Sequence, residues 1–104
     1  MRVILLAAFL VGLTAPALAA FISGNEIYDK CVSSKPTDTY YCLAYITVSF
    51  DQLEDYEEYE CVPSNASVGQ IKDVVIAYLR KNPEARHFSA ASLIRNAIYY
   101  AFCE

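Results

Sequence analysis

Apolar residues recur at helical spacing in four separate segments of the chain, and no segment sustains the alternation typical of a strand. The clearest segment predicts a helix that is capped by Ser67 and ends at Asn82 and Pro83. Its apolar face consists of Ile71, Val74, Val75, Tyr78 and Leu79. The last segment predicts a helix capped by Ser89, with a buried stripe of Ala90, Leu93, Ile94, Ala97, Ile98 and Ala101.

Two further helices are predicted in the first half of the chain. Ser23 and Glu26 fit a capping box, so a helix should begin near Gly24 and end at about Ser33, where residues 33–36 break it. A second helix, capped by Thr37 or Asp38, has an apolar arc wide enough to indicate packing on more than one side. That arc comprises Tyr41, Ala44, Tyr45 and Val48, widened by Cys42, Ile46, Phe50 and Leu53. The rings expected to be buried in the core are those of Tyr28, Tyr41, Tyr45 and Tyr78.

The spacing of these segments predicts an all-α fold, a small four-helix bundle with a roughly up-down arrangement. Four cysteines in so short a chain indicate two disulfides, and no CxxC pair points to zinc or redox chemistry. Three pairings are possible. The predicted topology places Cys31 and Cys42 at one end of the bundle and Cys61 and Cys103 at the other, which favours those two pairs.

The amino terminus has the pattern of a secretory signal. Arg2 precedes an apolar run that is too short to span a membrane, and Ala17 and Ala19 form a cleavage motif. We expect removal of residues 1–19, no membrane attachment afterwards, and a single domain over residues 20–104. Loss of Arg2 changes the formal net charge from -4 to about -5, which argues against nucleic acid as a partner.

The sequence contains little that an enzyme would need. His87 is the only histidine, it lies beside Arg86 just before a predicted helix cap, and a polar loop residue is the simpler interpretation. No phosphate-binding loop or zinc motif is present, and the acidic residues lack the glycine and spacing of a calcium loop. We therefore expect no catalytic residue, no metal and no cofactor.

The segment DQLEDYEEYE, residues 51–60, is called the acidic segment below. It concentrates six carboxylates and two tyrosines before Cys61. A solvated helix end is one interpretation. The other is a surface that steers a basic protein partner, since dense charge directs association and tyrosines favour interfaces. The candidate partner-binding residues are Asp51, Glu54, Asp55, Tyr56, Glu57, Glu58, Tyr59 and Glu60, and the loop that follows, through Ser64, is expected to continue the same edge.

An ordered set of residues across nearly the whole exported chain resembles the Rap/Tai family of immunity proteins, which is grouped with the HdeA-like helical fold. The resemblance is carried by Gly24-Asn25-Glu26, Tyr28, Cys31, Tyr41-Cys42-Leu43, Tyr45-Ile46, Cys61-Val62-Pro63, Gly69-Gln70, Asp73-Val74-Val75, Tyr78-Leu79, Asn82-Pro83, Ala90-Ala91, Leu93-Ile94 and Ala101-Phe102-Cys103.

The resemblance implies a protein of the Gram-negative periplasm that binds a peptidoglycan amidase effector of type VI secretion and blocks its cleft, which protects the producer. Such proteins are not enzymes, and some form dimers, so a homodimer is a second candidate assembly. The alternative is a stand-alone periplasmic stress or chaperone-like protein, whose carboxylates would neutralise and loosen the fold near pH 3–4, where free Asp and Glu titrate. A secreted hydrolase is disfavoured by the missing catalytic set.

Overall fold

The computed structural model describes residues 22–104, and this part of the chain contains four α-helices, two short 3-10 turns and no strand. The helices are α1 (Gly24–Val32), α2 (Pro36–Asp51), α3 (Val68–Lys81) and α4 (Ala90–Phe102), with 3-10 turns at Glu57–Tyr59 and Pro83–Ala85. Each helix contacts the other three. The predicted all-α, four-helix bundle is confirmed. The predicted signal peptide, residues 1–19, lies outside the described residues.

Capping boxes begin α1 and α3, as the sequence predicts. The Ser23 hydroxyl accepts a hydrogen bond from the Glu26 N–H at 3.2 Å, and the Glu26 carboxylate accepts one from the Ser23 N–H at 3.2 Å. Ser67 and Gln70 repeat the arrangement at 3.1 and 3.3 Å. Each box satisfies two backbone donors that a helix start leaves without a partner.

The start of α2 differs from the prediction. Lys35 is the capping residue, Pro36 opens the helix, and Thr37 and Asp38 lie within its first turn rather than capping it. Proline suits this first position because it has no N–H to leave unsatisfied and its φ angle is already helical. Pro36 therefore starts a helix where the sequence suggested only a break. Asp38 instead accepts a hydrogen bond from Lys30 Nζ at 3.3 Å.

The core runs through the centre of the bundle and takes residues from every helix. Leu53 adds to it from the segment after α2 and is only 2% exposed. The buried residues are Ile27, Cys31, Cys42, Ile46, Leu53, Ile71, Val75, Leu79, Ala90, Leu93, Ile94, Ala97 and Ile98. The predicted faces of α3 and α4 are largely confirmed, except that Ala101 is exposed near the end of α4.

The predicted packing of α2 on two sides is wrong. Cys42 and Ile46 face the bundle, whereas Tyr41 is 42% exposed and Val48 is 59% exposed. Adjacent helical positions differ by about 100° in direction, so a stripe beginning at Tyr41 points away from one beginning at Cys42. Within residues 22–104 the other three helices pack on the side of α2 that carries Cys42 and Ile46, and the second stripe forms a shallow apolar face lined by Tyr41, Ala44, Tyr45 and Val48. Of the four rings expected in the core, that of Tyr41 is therefore exposed, and Tyr28, Tyr45 and Tyr78 are half-buried.

Both predicted disulfides are confirmed. Cys31 and Cys42 join α1 to α2 with a Cα–Cα distance of 5.0 Å, and Cys61 joins Cys103 with a distance of 5.3 Å. Both distances lie in the range that a disulfide can bridge without moving the backbone. The first bond is buried within the core, and the second holds the segment after α2 against the end of α4.

The start of α1 docks closely on the loop before α4. The Gly24 N–H donates to the Phe88 carbonyl at 2.9 Å, and the Asn25 N–H donates to the Arg86 carbonyl at 2.8 Å. A Cβ atom on Gly24 would lie 2.9 Å from the Arg86 carbonyl oxygen and would overlap the Leu93 side chain. Glycine is therefore required here by the approach of two backbones.

Candidate functional site

The acidic segment is anchored at three points. It begins at Asp51, where α2 ends, and Gln52 closes that helix. In its middle the Leu53 side chain is buried in the core. Immediately after Glu60, Cys61 is bonded to Cys103. Anchoring at both ends and in the middle holds the segment in one position on the surface.

The structure brings all six carboxylates of the acidic segment to the surface. Asp51, Glu54, Asp55, Glu57, Glu58 and Glu60 are each exposed. In residues 22–104 the one ion pair joins Lys30 to Asp38, so none of the six carboxylates forms an ion pair within that part of the chain. Uncompensated like charges on one edge produce a negative potential that attracts cationic groups.

The two tyrosines of the segment have different environments. Tyr56 is 54% exposed, whereas Tyr59 is half-buried and packs edge-on against Tyr99, with ring centroids 6.0 Å apart. Burial, followed by the charge of Glu58, raises the pKa of Tyr59 above its ordinary value. Tyr59 is therefore a neutral, fixed ring at neutral pH, and Tyr56 is a ring that a partner can cover.

Two cavities adjoin the acidic segment, and Leu53 and Tyr59 line both of them. The Arg95 cavity, of 340 Å³, lies between the segment and α4; its other lining residues are Ser49, Gln52, Tyr56, Glu58, Ala91 and Arg95. The Val62 cavity, of 280 Å³, lies towards the following loop; its other lining residues are Phe50, Glu54, Glu60, Val62, Pro63 and Ser64. Both volumes are near the lower limit of about 300 Å³ for small-molecule sites.

Sequence reasoning found the acidic segment and the loop after it, but it missed the cavity residues that lie on α2 and α4. Arg95 and Ala91 lie on α4, far along the chain, and no sequence pattern marks them as neighbours of the acidic segment. Phe50 packs against the core, as its place on the predicted apolar face of α2 indicates, and its half-buried side chain also lines the Val62 cavity. The loop from Val62 to Ser64 could be predicted to lie beside the acidic segment, because it follows that segment closely in the sequence.

His87, the one histidine of the sequence, lies away from this surface. His87 is exposed in the loop before α4, with its ring centroid 4.2 Å from that of Phe88, and it lines neither cavity. Among the described residues, no three His, Cys, Asp or Glu side chains are placed to hold a metal ion. None of the helices in residues 22–104 is long and apolar enough to cross a bilayer.

The fold and surface define a class of protein: a small helical domain, held by two disulfides, with an exposed acidic surface. Residues 23–103 match the Rap1a immunity proteins. The chain belongs to this family. No match to the chain was found among curated proteins or among solved structures.

Proposed function

We propose that the protein is exported to the periplasm, where it binds a peptidoglycan amidase effector of type VI secretion and blocks its active-site cleft. Membership of the immunity family is the observation that carries this proposal. The amino-terminal signal pattern supports the location, because a toxin that cuts cell wall must be met in the same compartment. The protein acts as a non-enzymatic inhibitor that protects the producing cell.

The acidic segment is the proposed contact surface. Its carboxylates are exposed, and its backbone is anchored by Leu53 and the Cys61–Cys103 bond, so little ordering of the backbone is needed on binding. Negative charge steers a partner with a basic rim and disfavours acidic ones. Tyr56 supplies exposed aromatic surface beside those charges, a combination favoured at protein interfaces.

The test uses the oxidised protein without residues 1–19 as bait in the periplasmic and secreted fractions of its native host. The expected result is recovery of one amidase, whose hydrolysis of purified peptidoglycan stops at one equivalent of the bait. An amidase that binds and retains full activity would contradict the proposal. A matched control is the same bait after reduction and alkylation, which should lose the amidase because its fold is weakened.

The exposed apolar face of α2 supports a second candidate, the stand-alone chaperone-like function. Unfolded clients bind to apolar surface, and Tyr41 and Val48 provide it in the folded protein. Recovery of many unrelated proteins in acid, with no amidase, would favour this function. The same face is where a homodimer would bury apolar area, and sedimentation at several concentrations tests that assembly.

A further inference from the structure

The two cavities beside the acidic segment differ in charge. Arg95 and Glu58 both line the Arg95 cavity, so a cation and an anion already face the same space. The Val62 cavity has two carboxylates, Glu54 and Glu60, and no lysine, arginine or histidine among its lining residues. Of these two cavities, only the Val62 cavity therefore has acidic lining residues without a cationic residue beside them.

The walls of the Val62 cavity are apolar below its acidic rim. Phe50 and Val62 are half-buried against the core, Leu53 is buried within it, and Pro63 is a further apolar lining residue. Apolar walls with a negative rim match the two parts of a long basic side chain. Arginine and lysine lay a methylene stem along apolar surface and keep the charged head at its polar edge.

The cavity is also fixed before any partner arrives. The Glu60 N–H donates to the Glu57 carbonyl at 3.1 Å, and the Val62 N–H donates to the Tyr59 carbonyl at 3.1 Å. Between these residues, Cys61 is bonded to Cys103. Preformed geometry reduces the entropy lost on binding, so the rim carboxylates can act without rearrangement.

We infer that the Val62 cavity receives one arginine or lysine side chain of the protein partner. Its stem lies on Leu53 and Val62, and its cationic head is held by Glu54 and Glu60. This inference rests on the proposed function for the identity of the partner, and on the cavity itself for the chemistry of the occupant.

The test compares two charge-matched double variants for binding to the captured amidase. Glu54→Gln with Glu60→Gln removes the rim of the Val62 cavity, whereas Asp55→Asn with Glu57→Gln removes two charges that line neither cavity. Loss of a desolvated charge pair acts on dissociation, so the first variant should dissociate about 30-fold faster or more. The control variant should change mainly the association rate. Equal effects of both variants on dissociation would overturn the inference.

A second experiment works without the amidase. N-acetyl-arginine amide at millimolar concentration should shift the backbone amide resonances of Leu53, Glu60 and Val62, and the neutral isostere N-acetyl-citrulline amide should not. Glu54→Gln with Glu60→Gln should abolish the shifts. If the arginine compound shifts these resonances but the protein binds no amidase, the inferred side-chain site is supported and the proposed function is rejected. If the protein binds the amidase but responds equally to the arginine and citrulline compounds, the proposed function is supported and the inferred side-chain site is rejected.

Discussion

Cys61 is bonded to Cys103, and this bond ties the residue after the acidic segment to the end of α4. The two residues are 42 positions apart in the sequence, so the bond links a surface segment to a helix that is distant along the chain. Cys61 is exposed, whereas Cys31 and Cys42 are buried. The two disulfides therefore differ in their access to an external thiol.

We expect Cys61–Cys103 to be reduced before Cys31–Cys42, because exchange requires a thiolate to reach a sulfur atom. Limited treatment with a thiol reductant, followed by alkylation and peptide mass spectrometry, measures the order. Simultaneous alkylation of all four cysteines would contradict this expectation, since it would mean that the first reduction unfolds the bundle.

Charge reversal in the acidic segment should slow binding to the amidase. The variant replaces Glu54, Asp55, Glu57 and Glu58 with lysine. At low salt its association rate should be about tenfold lower or more, and most of the salt dependence of that rate should be lost. Both effects follow because charges attract a partner only within about a Debye length. Stopped-flow fluorescence at several salt concentrations measures both effects. The far-ultraviolet circular dichroism spectrum should stay unchanged, since these side chains are exposed.

The matched control reverses four carboxylates elsewhere, at Asp29, Asp73, Glu84 and Glu104, all of which are exposed. It changes the net charge by the same amount and should slow association much less. Equal slowing by both variants would mean that net charge alone matters. If neither variant slows association, the acidic segment is better interpreted as a solvated helix end than as a binding surface.

Gly24→Ala should destabilise the fold by about 1–3 kcal/mol, because the added methyl group meets the Arg86 carbonyl oxygen and the Leu93 side chain. Gly69 provides the control. It is exposed in α3, and a Cβ there would meet only the Ser67 hydroxyl oxygen at 4.0 Å. Gly69→Ala should be neutral or stabilise the protein by up to about 1 kcal/mol through helix propensity. Urea unfolding gives both values, and destabilisation of similar size at both positions would exclude the close approach as the cause.

The two stripes of α2 should respond differently to truncation. Ile46 is 0% exposed, so Ile46→Ala should cost about 2–5 kcal/mol through lost burial and a cavity. Val48 is 59% exposed, so Val48→Ala should change stability by less than about 0.5 kcal/mol. Thermal unfolding at low protein concentration distinguishes them. A large loss for Val48→Ala that grows with concentration would show that a second copy covers this face.

Acid should weaken the fold through Asp38. A hydrogen bond from Ser33, followed by the interactions with Lys30, lowers the pKa of Asp38 below its ordinary value. A carboxylate with a lowered folded-state pKa contributes stability above its unfolded pKa, and that contribution is lost as the pH falls through the folded-state pKa. Asp38→Asn should therefore lower the melting temperature slightly at neutral pH and match the parent protein in strong acid.

Asp55→Asn serves as the control for Asp38, since Asp55 is exposed and has no ion pair within residues 22–104. It should not lower the melting temperature at neutral pH, since it breaks no ion pair in that part of the chain. A constant deficit for Asp38→Asn at every pH would mean that lost packing, and not ionisation, is responsible.

The elements of the bundle could be predicted from local signals. Ser23 with Glu26 and Ser67 with Gln70 mark helix starts because a capping box is closed by residues only three positions apart. The cysteine pairs followed from helix order, since short connections place neighbouring helix ends together. The start of α2 was mispredicted because Pro36 has two local meanings, a helix breaker and a first helical residue.

The sequence by itself determined four helices, two disulfides and a concentrated negative charge, because each depends on residues that are close in the chain or on simple composition. Tertiary structure alone decided which stripe of α2 is buried, since Tyr41 and Cys42 are both apolar enough for the core. It also placed Arg95 in one cavity beside the acidic segment and left the other without a cation. Those outcomes depend on how helices pack, and packing is set by contacts between residues far apart in the sequence.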